Sequence, residues 1–331
     1  MRAIEIHEFG DPSVLTQAER PMPTAAAGEV LVRIAAASVN PIDTKIRRNG
    51  PPMAPELPGV LGCDFAGTVE ALGEGVDSFA VGDAVYGSPG GVRGTCGAYA
   101  EYAAADARSL AHKPASLDMR QAAAMPLVGI TAWEGLVIRG GITPGVNVLI
   151  HGGAGGVGHA AIQIAKAHGA HVTTTVSTEQ KADLVRGLGA DEVVFYRDES
   201  VDDYVERLTG GEGFDLVFDT TGGSDLPTSF KAARLNGQVV TIVSQYQADL
   251  TLMHLRGLTL HVVFMIIPVL YNRGRAVHGE ILRNLSALVD QGHYRPLLDP
   301  TRFTLEQAAE AHRRLESGEA LGKLILDVDL T

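Results

Sequence analysis

Residues 146–165 read VNVLIHGGAGGVGHAAIQIA, a short apolar run followed by a glycine-rich turn and a helical pattern. Within this stretch Gly153, Gly155 and Gly158 have the spacing G-x-G-x-x-G. Between a strand and a helix, such a turn leaves no side chain between the backbone and a pyrophosphate. The N–H groups of the helix N-terminus then face the anion. A glycine-rich turn by itself is more often only a turn, so the flanking strand and helix carry the prediction of a dinucleotide site.

Strand and helix patterns alternate from about Ala122 onwards. The candidate strands are Val146–His151, His171–Val176, Glu192–Phe195, Asp215–Phe218 and Gln238–Val243. The helical patterns between them cover Val157–His168, Glu179–Leu188, Val201–Leu208 and Leu226–Leu235. This alternation predicts a parallel sheet with helices on both faces.

The chain on either side of this region has a different pattern. Before it, short apolar runs such as Val30–Ile34 and Phe65–Leu72 lie between Gly- and Pro-rich turns, which predicts a β-rich first third. After it, the sequence predicts one amphipathic helix over Leu305–Leu315 and a closing strand over Lys323–Val328. A length of 331 residues suggests about two domains.

Composition excludes several classes of function. Lys and Arg total 27 and Asp and Glu 39, a formal net charge of −12, which argues against nucleic acid or an anionic membrane as the main partner. Cys63 and Cys96 are the only cysteines, so a disulfide framework and a Cys-rich structural zinc lobe are both excluded. The longest apolar run, Val262–Leu270, is too short to span a bilayer, and the N-terminus lacks a signal-peptide pattern. We therefore expect a soluble cytoplasmic protein.

The end of the second predicted strand bears on the choice of nicotinamide cofactor. NAD sites usually carry an acidic residue there, but His171–Val176 is followed by Ser177 and Thr178, with Lys181 one helical turn further on. A carboxylate about 4 Å from a 2′-phosphate would cost up to ~4 kcal/mol at an effective dielectric near 20. A hydroxyl and an ammonium would instead favour the phosphate, so the sequence favours NADPH. Two alternatives stay open: Glu179 supplies the missing acid if it turns inward, and Lys181 is an ordinary solvated helix lysine.

Six segments occur in an order that resembles a known family. They are Asn40–Asp43, Leu61–Val69, Val81–Gly87, Ala123–Trp133, the glycine-rich segment and Leu188–Asp191. Through them the chain resembles the medium-chain dehydrogenase/reductase superfamily, specifically its zinc-independent quinone oxidoreductase branch, over essentially its whole length. The resemblance implies an α/β plus β fold. A GroES-like β-barrel catalytic domain would comprise residues 1–122 and 268–331, and a Rossmann-type doubly wound parallel sheet, residues 123–267, would be inserted into it.

The same comparison bears on metal binding. Zinc-dependent relatives carry a cysteine at the position of Asn40 and His-Glu where this chain has Cys63 and Asp64. Asparagine is a poor zinc ligand, and a lone cysteine cannot build the three-ligand open site that catalysis needs. We therefore expect no metal, with Cys63 as a small apolar residue in the floor of the cleft. The alternative is a metal held by Cys63, Asp64 and a distant histidine.

The resemblance also implies a set of cofactor contacts. The implied residues are Gly155, Gly156, Val157 and Gly158 for the pyrophosphate; Ser177, Lys181 and Tyr196 for the 2′-phosphoribose side; Thr131, Val243, Ser244, Phe264 and Ile266 around the nicotinamide; and Lys323 near the C-terminus. Simpler roles exist for some of them. Tyr196 would also suit an exposed surface, and Val243 and Phe264 would also suit a strand core.

Without zinc, the reaction must depend on hydride delivery to an electron-poor acceptor, namely a quinone or an α,β-unsaturated carbonyl compound, plus a proton that water can supply. The sequence does not identify a proton donor in the protein. Asn40 and Asp43 are the candidate catalytic residues, forming a polar wall that orients the cofactor amide or the acceptor carbonyl. The same Asn-Pro-x-Asp segment also predicts a capped helix start, with Pro41 at the first helical position. The two roles are compatible.

One departure from the family limits what can be inferred about the acceptor. Many relatives carry an aromatic residue shortly after this segment, whereas Lys45–Pro55 contains none. Val262–Leu270 is then a candidate pocket wall, with an interface or edge strand as the alternative. The resemblance further implies a homodimer. Two competing functions are a non-enzymatic NADPH-binding scaffold or stress protein on the same fold, and a zinc-type alcohol dehydrogenase.

Overall fold

The structure is a computed structural model that describes residues 1–247 and 249–328. The chain forms two compact units. One contains residues 1–127 and the C-terminal segment from Ile266, and the other is Val128–Met265. The second unit is therefore an insertion into the first. Within the described residues we find no helix that combines the length and the apolar character of a bilayer span.

The secondary structure is as follows. The strands, numbered in chain order, are β1 Arg2–Ile6, β2 Thr16–Glu19, β3 Glu29–Val39, β4 Gly59–Val60, β5 Asp64–Leu72, β6 Ala84–Gly87, β7 Tyr102–Asp106, β8 Leu110–His112, β9 Asn147–His151, β10 His171–Val176, β11 Glu192–Phe195, β12 Phe214–Asp219, β13 Ala233–Thr241, β14 Thr259–Val262, β15 Phe303–Thr304 and β16 Leu324–Asp327. The α-helices are α1 Pro41–Asn49, α2 Met119–Ala123, α3 Pro126–Trp133, α4 Gly156–Ala167, α5 Glu179–Gly187, α6 Val201–Thr209, α7 Leu226–Ala232, α8 Thr251–Arg256, α9 Ile267–Leu270, α10 Ala276–Asp290 and α11 Ala308–Glu316.

The inserted unit contains the predicted parallel sheet. Its strand order is β11-β10-β9-β12-β13-β14, and every neighbouring pair is parallel. This is the doubly wound dinucleotide-binding order, in which the direction of strand addition reverses between β9 and β12. Val148, Leu149 and Ile150 of β9 are fully buried, and each such side chain contributes about 1.5–3 kcal/mol by leaving water. The strand that leads into the glycine turn is therefore firmly held.

The apolar run Val262–Leu270 extends from this unit into the other. The run is not one continuous element, because only Val262 belongs to the edge strand β14, and Ile267–Leu270 is helical with Pro268 in its first turn. The edge strand lies earlier, at Thr259–Val262. Its Thr-Leu-His-Val sequence is only half apolar and partly exposed, so its apolar pattern is too weak to identify it as a strand.

The other unit is mainly antiparallel. A sheet of order β15-β16-β3-β5-β6-β8, with β7 also on β3, accompanies a three-stranded sheet β2-β1-β4. The predicted closing strand is present as β16, which pairs antiparallel with β3 so that Leu324 lies opposite Val39. This register brings the residue before β16 next to the residue after β3. The predicted helix at Leu305–Leu315 begins later, at Ala308, after a 3₁₀ turn.

Candidate active site

The glycine turn between β9 and α4 is closely packed at two of its glycines. A Cβ atom at Gly153 would lie 2.1 Å from the Thr174 hydroxyl oxygen, and one at Gly158 would lie 2.2 Å from the carbonyl oxygen of Gly152. Gly152 itself has a φ of +71°, in the region that favours glycine. The fold therefore requires glycine at these three positions whether or not a ligand binds.

Gly155 is different, because the fold does not require a glycine there. Its backbone is extended, with φ −78° and ψ 173°, which any residue can adopt. An added Cβ would meet only the carbonyl oxygen of Gly152, at 3.2 Å. Gly155 is also the N-cap of the twelve-residue helix α4, whose first N–H groups have no partner within the helix. An open glycine at a helix N-terminus fits the close approach of a phosphate group.

The turn lies where the strand order reverses. Asp219, the last residue of β12, lies opposite His151, the last residue of β9. Its Oδ1 accepts hydrogen bonds from the N–H groups of Thr221, at 3.0 Å, and Gly222, at 2.7 Å. The carboxylate thus fixes the loop after β12 beside the glycine turn. Sequence reasoning missed Asp219, although an acidic residue directly before Thr-Thr-Gly-Gly at the end of a buried strand is a usable signal.

The predicted 2′-phosphoribose residues come together at neighbouring strand ends. Val176 of β10 pairs with Phe195 of β11, so Ser177 and Tyr196 leave the sheet side by side. Tyr196 is 52% exposed, and the Arg197 guanidinium lies 5.6 Å from the centre of its ring. This arrangement leaves the tyrosine available at the surface.

Helix α5 supplies the remaining residues at this edge. Thr178 caps the helix, accepting a hydrogen bond from the N–H group of Lys181. The Glu179 side chain points along its own helix to Arg186, with Oε1 2.8 Å from Nη1. Glu179 is thus turned toward Arg186 rather than serving as an acid at the end of β10.

The predicted nicotinamide residues occupy several elements. Thr131 is a buried residue of α3, and Val243 and Ser244 lie in the loop after β13. The carbonyl oxygen of Val243 accepts a hydrogen bond from the N–H group of Gly223, so the loops after β12 and β13 are tied together. Phe264 is half-buried after β14. Ile266 is buried and belongs to the other unit.

Asn40 and Asp43 form the start of α1. Asn40 is the N-cap, Pro41 occupies the first helical position, and the Asn40 N–H group donates to Asp43 Oδ2 at 2.8 Å. The capped helix start predicted for this segment is thus present. Both side chains are fully buried.

The Asn40 amide is fully engaged in a buried polar network. Its Oδ1 accepts a hydrogen bond from Lys323, whose ammonium also donates to the carbonyl oxygen of Val39 at 3.2 Å. Its Nδ2 donates to Asp64 Oδ2 at 3.0 Å and to Ser38 Oγ at 3.3 Å. The structure therefore brings two predicted site residues, Asn40 and Lys323, into direct contact.

Opposite charges share this network. Lys323 Nζ and Asp64 Oδ2 are 4.0 Å apart, and both side chains are almost completely buried. Burial lowers the pKa of Lys323, while the charges of Asp64 and Asp43 act in the opposite direction. Burial likewise raises the pKa of Asp64, and the Lys323 ammonium opposes that rise. For each of these two side chains, the charge of the other is thus the main interaction that opposes the cost of burial.

Asp43 is connected to two residues that sequence reasoning missed, to Tyr99 directly and through it to His312. Its Oδ2 lies 3.3 Å from the Tyr99 hydroxyl, which lies 3.0 Å from Nε2 of His312. Burial raises the pKa of Asp43 to about 6, against the hydrogen bond from the Asn40 N–H group. Asp43 is therefore a carboxyl group that can exchange a proton near neutral pH. No local sequence signal connects Tyr99 with His312, because 213 positions separate them.

Comparison with known proteins agrees with this architecture. An alcohol dehydrogenase GroES-like domain model matches residues 26–115, and a zinc-binding dehydrogenase model matches residues 188–326. The quinone oxidoreductase of Sus scrofa is 34% identical over 330 residues, covering 98% of this chain and 97% of that protein. The chain belongs to the quinone oxidoreductase branch of the medium-chain dehydrogenase/reductase superfamily. The predicted fold class is confirmed, and the protein is an oxidoreductase.

Two further relatives widen the comparison. The NADPH-dependent alkenal/one oxidoreductase of Arabidopsis thaliana chloroplasts is 32% identical over 335 residues, covering 98% of this chain and 79% of that protein. The crystal structure of Escherichia coli quinone oxidoreductase complexed with NADPH has a TM-score of 0.86 and 31% identity, covering 99% of this chain and all of the other. Both likenesses extend over almost the whole of this chain.

Proposed function

We propose that this oxidoreductase transfers hydride from NADPH to quinones or α,β-unsaturated carbonyl compounds without zinc. The proposal rests on the open space beside Gly155. This residue is the N-cap of α4, at the point where the strand order reverses, and the fold itself does not require a glycine there. The pyrophosphate would lie against Gly155, Gly156, Val157 and Gly158. The names of the pig and Arabidopsis relatives support the two acceptor classes.

The preference for NADPH rests on the ends of β10 and β11. Ser177, Lys181 and Tyr196 would hold the 2′-phosphate, and the ion pair with Arg186 directs the Glu179 carboxylate along its own helix. Within the described residues the Lys181 ammonium has no ion pair, which leaves it available to a phosphate group. The NADPH bound by the E. coli relative supports the same preference.

Residues from the loops and from α3 would surround the nicotinamide. We assign this role to Thr131, Val243, Ser244, Phe264 and Ile266. In the other unit we propose Asn40 and Asp43 as the catalytic residues, with Lys323 acting through Asn40. Asn40 donates both of its amide hydrogens, to Asp64 and to Ser38, so its contribution is to fix the position of neighbouring groups.

The donor groups near Asn40 do not fit a catalytic zinc ion. A ligating cysteine must be a thiolate. Burial raises the pKa of the Cys63 thiol well above its ordinary value, and the charges of Asp43 and Asp64 raise it further. The Lys323 ammonium already provides the positive charge beside Asp64. Across the described residues no three His, Cys, Asp or Glu side chains are grouped to hold a metal ion.

Without a Lewis acid, the acceptor must itself be electron-poor. Bound NADPH supplies a hydride, and the protein supplies binding, orientation and one proton. The Asp43 carboxyl group is placed to hold a proton, while the Asn40 N–H group fixes its Oδ2. Reduction of an enone then requires that proton at carbon, and reduction of a quinone requires it at oxygen.

We also propose a homodimer that forms through the edge strand β14. Two of its four residues are exposed and two are half-buried, and Val262 is 48% exposed at its end. An unpaired strand edge with exposed apolar side chains favours pairing with a second copy across a two-fold axis. The cytoplasmic location stays a prediction.

A substrate panel tests the proposed function. Quinones, alkenals and cyclic enones would be supplied with NADPH and with NADH, and oxidation of the cofactor followed by absorbance. We expect turnover of at least one class, with NADPH preferred and with activity unaffected by a chelator. Tight NADPH binding without turnover of any acceptor would support the scaffold alternative. Stoichiometric zinc together with inactivation by the chelator would support the alcohol dehydrogenase alternative.

A further inference from the structure

Two helices of the same unit face each other with polar side chains. On α1, Asp43 and Arg47 are four positions apart, and on α11, His312 and Glu316 are four positions apart, so each pair lies on one helix face. At the outer end, Arg47 Nη2 lies 2.5 Å from Glu316 Oε1. At the inner end, Asp43 and His312 are connected by Tyr99.

Tyr99 makes this connection in a fully buried place. Asp43, Tyr99 and His312 each have no exposed surface. The Tyr99 hydroxyl lies between Asp43 Oδ2, at 3.3 Å, and His312 Nε2, at 3.0 Å. The phenol and imidazole rings meet edge to face, with centres 5.7 Å apart. Since a hydroxyl donates only one hydrogen, it serves one neighbour as donor and the other as acceptor.

Asp43 Oδ1 is buried without a partner among the described residues, so a proton there would stay unpaired. With the proton of Asp43 on Oδ2, two hydrogen-bond arrangements give both contacts of Tyr99 one donor and one acceptor. When Asp43 is ionised, Tyr99 donates to Asp43, and His312 donates to Tyr99 from Nε2–H with Nδ1 bare. When Asp43 is protonated, it donates to Tyr99, Tyr99 donates to Nε2, and the imidazole carries its hydrogen on Nδ1. The second arrangement contains one more proton than the first. His312 Nδ1 has no partner among the described residues, so nothing in that part of the chain forces either tautomer.

We propose that Tyr99 and His312 are positioning residues that couple the protonation of Asp43 to the tautomer of His312 and so prepare Asp43 to give a proton to the reduced acceptor. In the change from the first arrangement to the second, His312 gains a proton at Nδ1 and releases its Nε2 proton to Tyr99, whose own proton passes to Asp43. One proton enters and one reaches the carboxyl group. The role in turnover rests on the proposed function, whereas the coupling itself does not.

The surroundings of Asp43 are compatible with this exchange. The titratable and charged groups that act on the chain of three residues are Cys63, Asp64, Lys323 and Arg47. Burial, together with the charge of Arg47, lowers the pKa of His312 to about 3, so the imidazole stays neutral where Asp43 titrates. A neutral imidazole responds to its neighbours by changing tautomer rather than charge.

The test is a ¹⁵N NMR titration of His312 in the intact protein between about pH 5 and pH 8. We expect a neutral imidazole throughout, with Nε2–H at high pH and Nδ1–H at low pH. In Tyr99→Phe the tautomer should no longer follow pH. Tyr86→Phe is the matched control, because the buried Tyr86 hydroxyl instead contacts the Leu282 carbonyl oxygen and Ser286. A wild-type tautomer that stays constant, or an imidazole that becomes charged in this range, would overturn the coupling.

Kinetics supply the second measurement. With an enone acceptor, Tyr99→Phe should lower kcat by at least about tenfold and displace its pH profile, with little change in KM, while Tyr86→Phe retains wild-type kinetics. Unchanged kinetics in Tyr99→Phe would refute the role in turnover. If no acceptor is reduced but the tautomer still follows pH, the proposed function fails and the coupling stands.

Discussion

Replacement of Gly155 by valine separates what the fold requires from what the cofactor requires. The extended backbone at this position accommodates a β-branched residue. The nearest atom to an added Cβ is the carbonyl oxygen of Gly152, at 3.2 Å, which must yield by a few tenths of an ångström. With the loss of a favourable N-cap residue, we expect Gly155→Val to cost about 1 kcal/mol of folding free energy.

The expected effect on cofactor binding is larger. The valine methyl groups would occupy the space above the first N–H groups of α4, where the pyrophosphate is proposed to lie. Hydrogen bonds to a charged group contribute about 1.5–3 kcal/mol each. Losing two of them corresponds to about 3–6 kcal/mol, so the Kd for NADPH should rise by at least about 100-fold.

The assay combines calorimetric titration with NADPH and thermal unfolding of the same samples. Gly158→Ala is the contrasting variant, because its Cβ would lie 2.2 Å from a backbone oxygen and must disturb the turn itself. We expect Gly155→Val to lose affinity with little loss of stability, and Gly158→Ala to lose both. A folded Gly155→Val protein that binds NADPH within a few-fold of wild type would show that the phosphates lie elsewhere.

Two further predictions concern the cofactor choice and the buried carboxyl group. Ser177→Asp combined with Lys181→Ala should favour NADH, because a carboxylate repels the 2′-phosphate. The ratio of kcat/KM for NADPH to kcat/KM for NADH should fall by at least about tenfold. An unchanged ratio would contradict the proposed 2′-phosphate site. The pKa of Asp43 is about 6 in the folded protein, against an ordinary value of 3.8. The folded state therefore favours the protonated carboxyl group. Its contribution to the free energy of unfolding is complete below about pH 4 and is lost as pH rises through 6. In urea unfolding, the free energy of unfolding of wild type should fall by about 3 kcal/mol relative to that of Asp43→Asn over this pH range. If the difference between the two proteins does not change with pH, the raised pKa of Asp43 is refuted.

Local signals account for what the sequence predicted correctly. The glycine turn, the strands beside it and the capped start of α1 each depend on residues within a few positions of one another. Turn geometry, periodicity and capping are properties of neighbouring residues, so they can be identified without knowledge of the rest of the chain. The weakly apolar edge strand at Thr259–Val262 was missed because its formation depends on pairing with β13 rather than on its own pattern.

The sequence by itself therefore determined the fold class, the glycine-rich turn and the choice of Asn40 and Asp43 as candidate residues. Only the tertiary structure decided which polar groups share the interior of the first unit. The register of β16 on β3 places Lys323 on Asn40 across 283 positions, and the packing of α1 with α11 places Tyr99 between Asp43 and His312. Buried polar groups must find partners in three dimensions, and sheet register and helix packing select those partners without leaving a local pattern in the sequence.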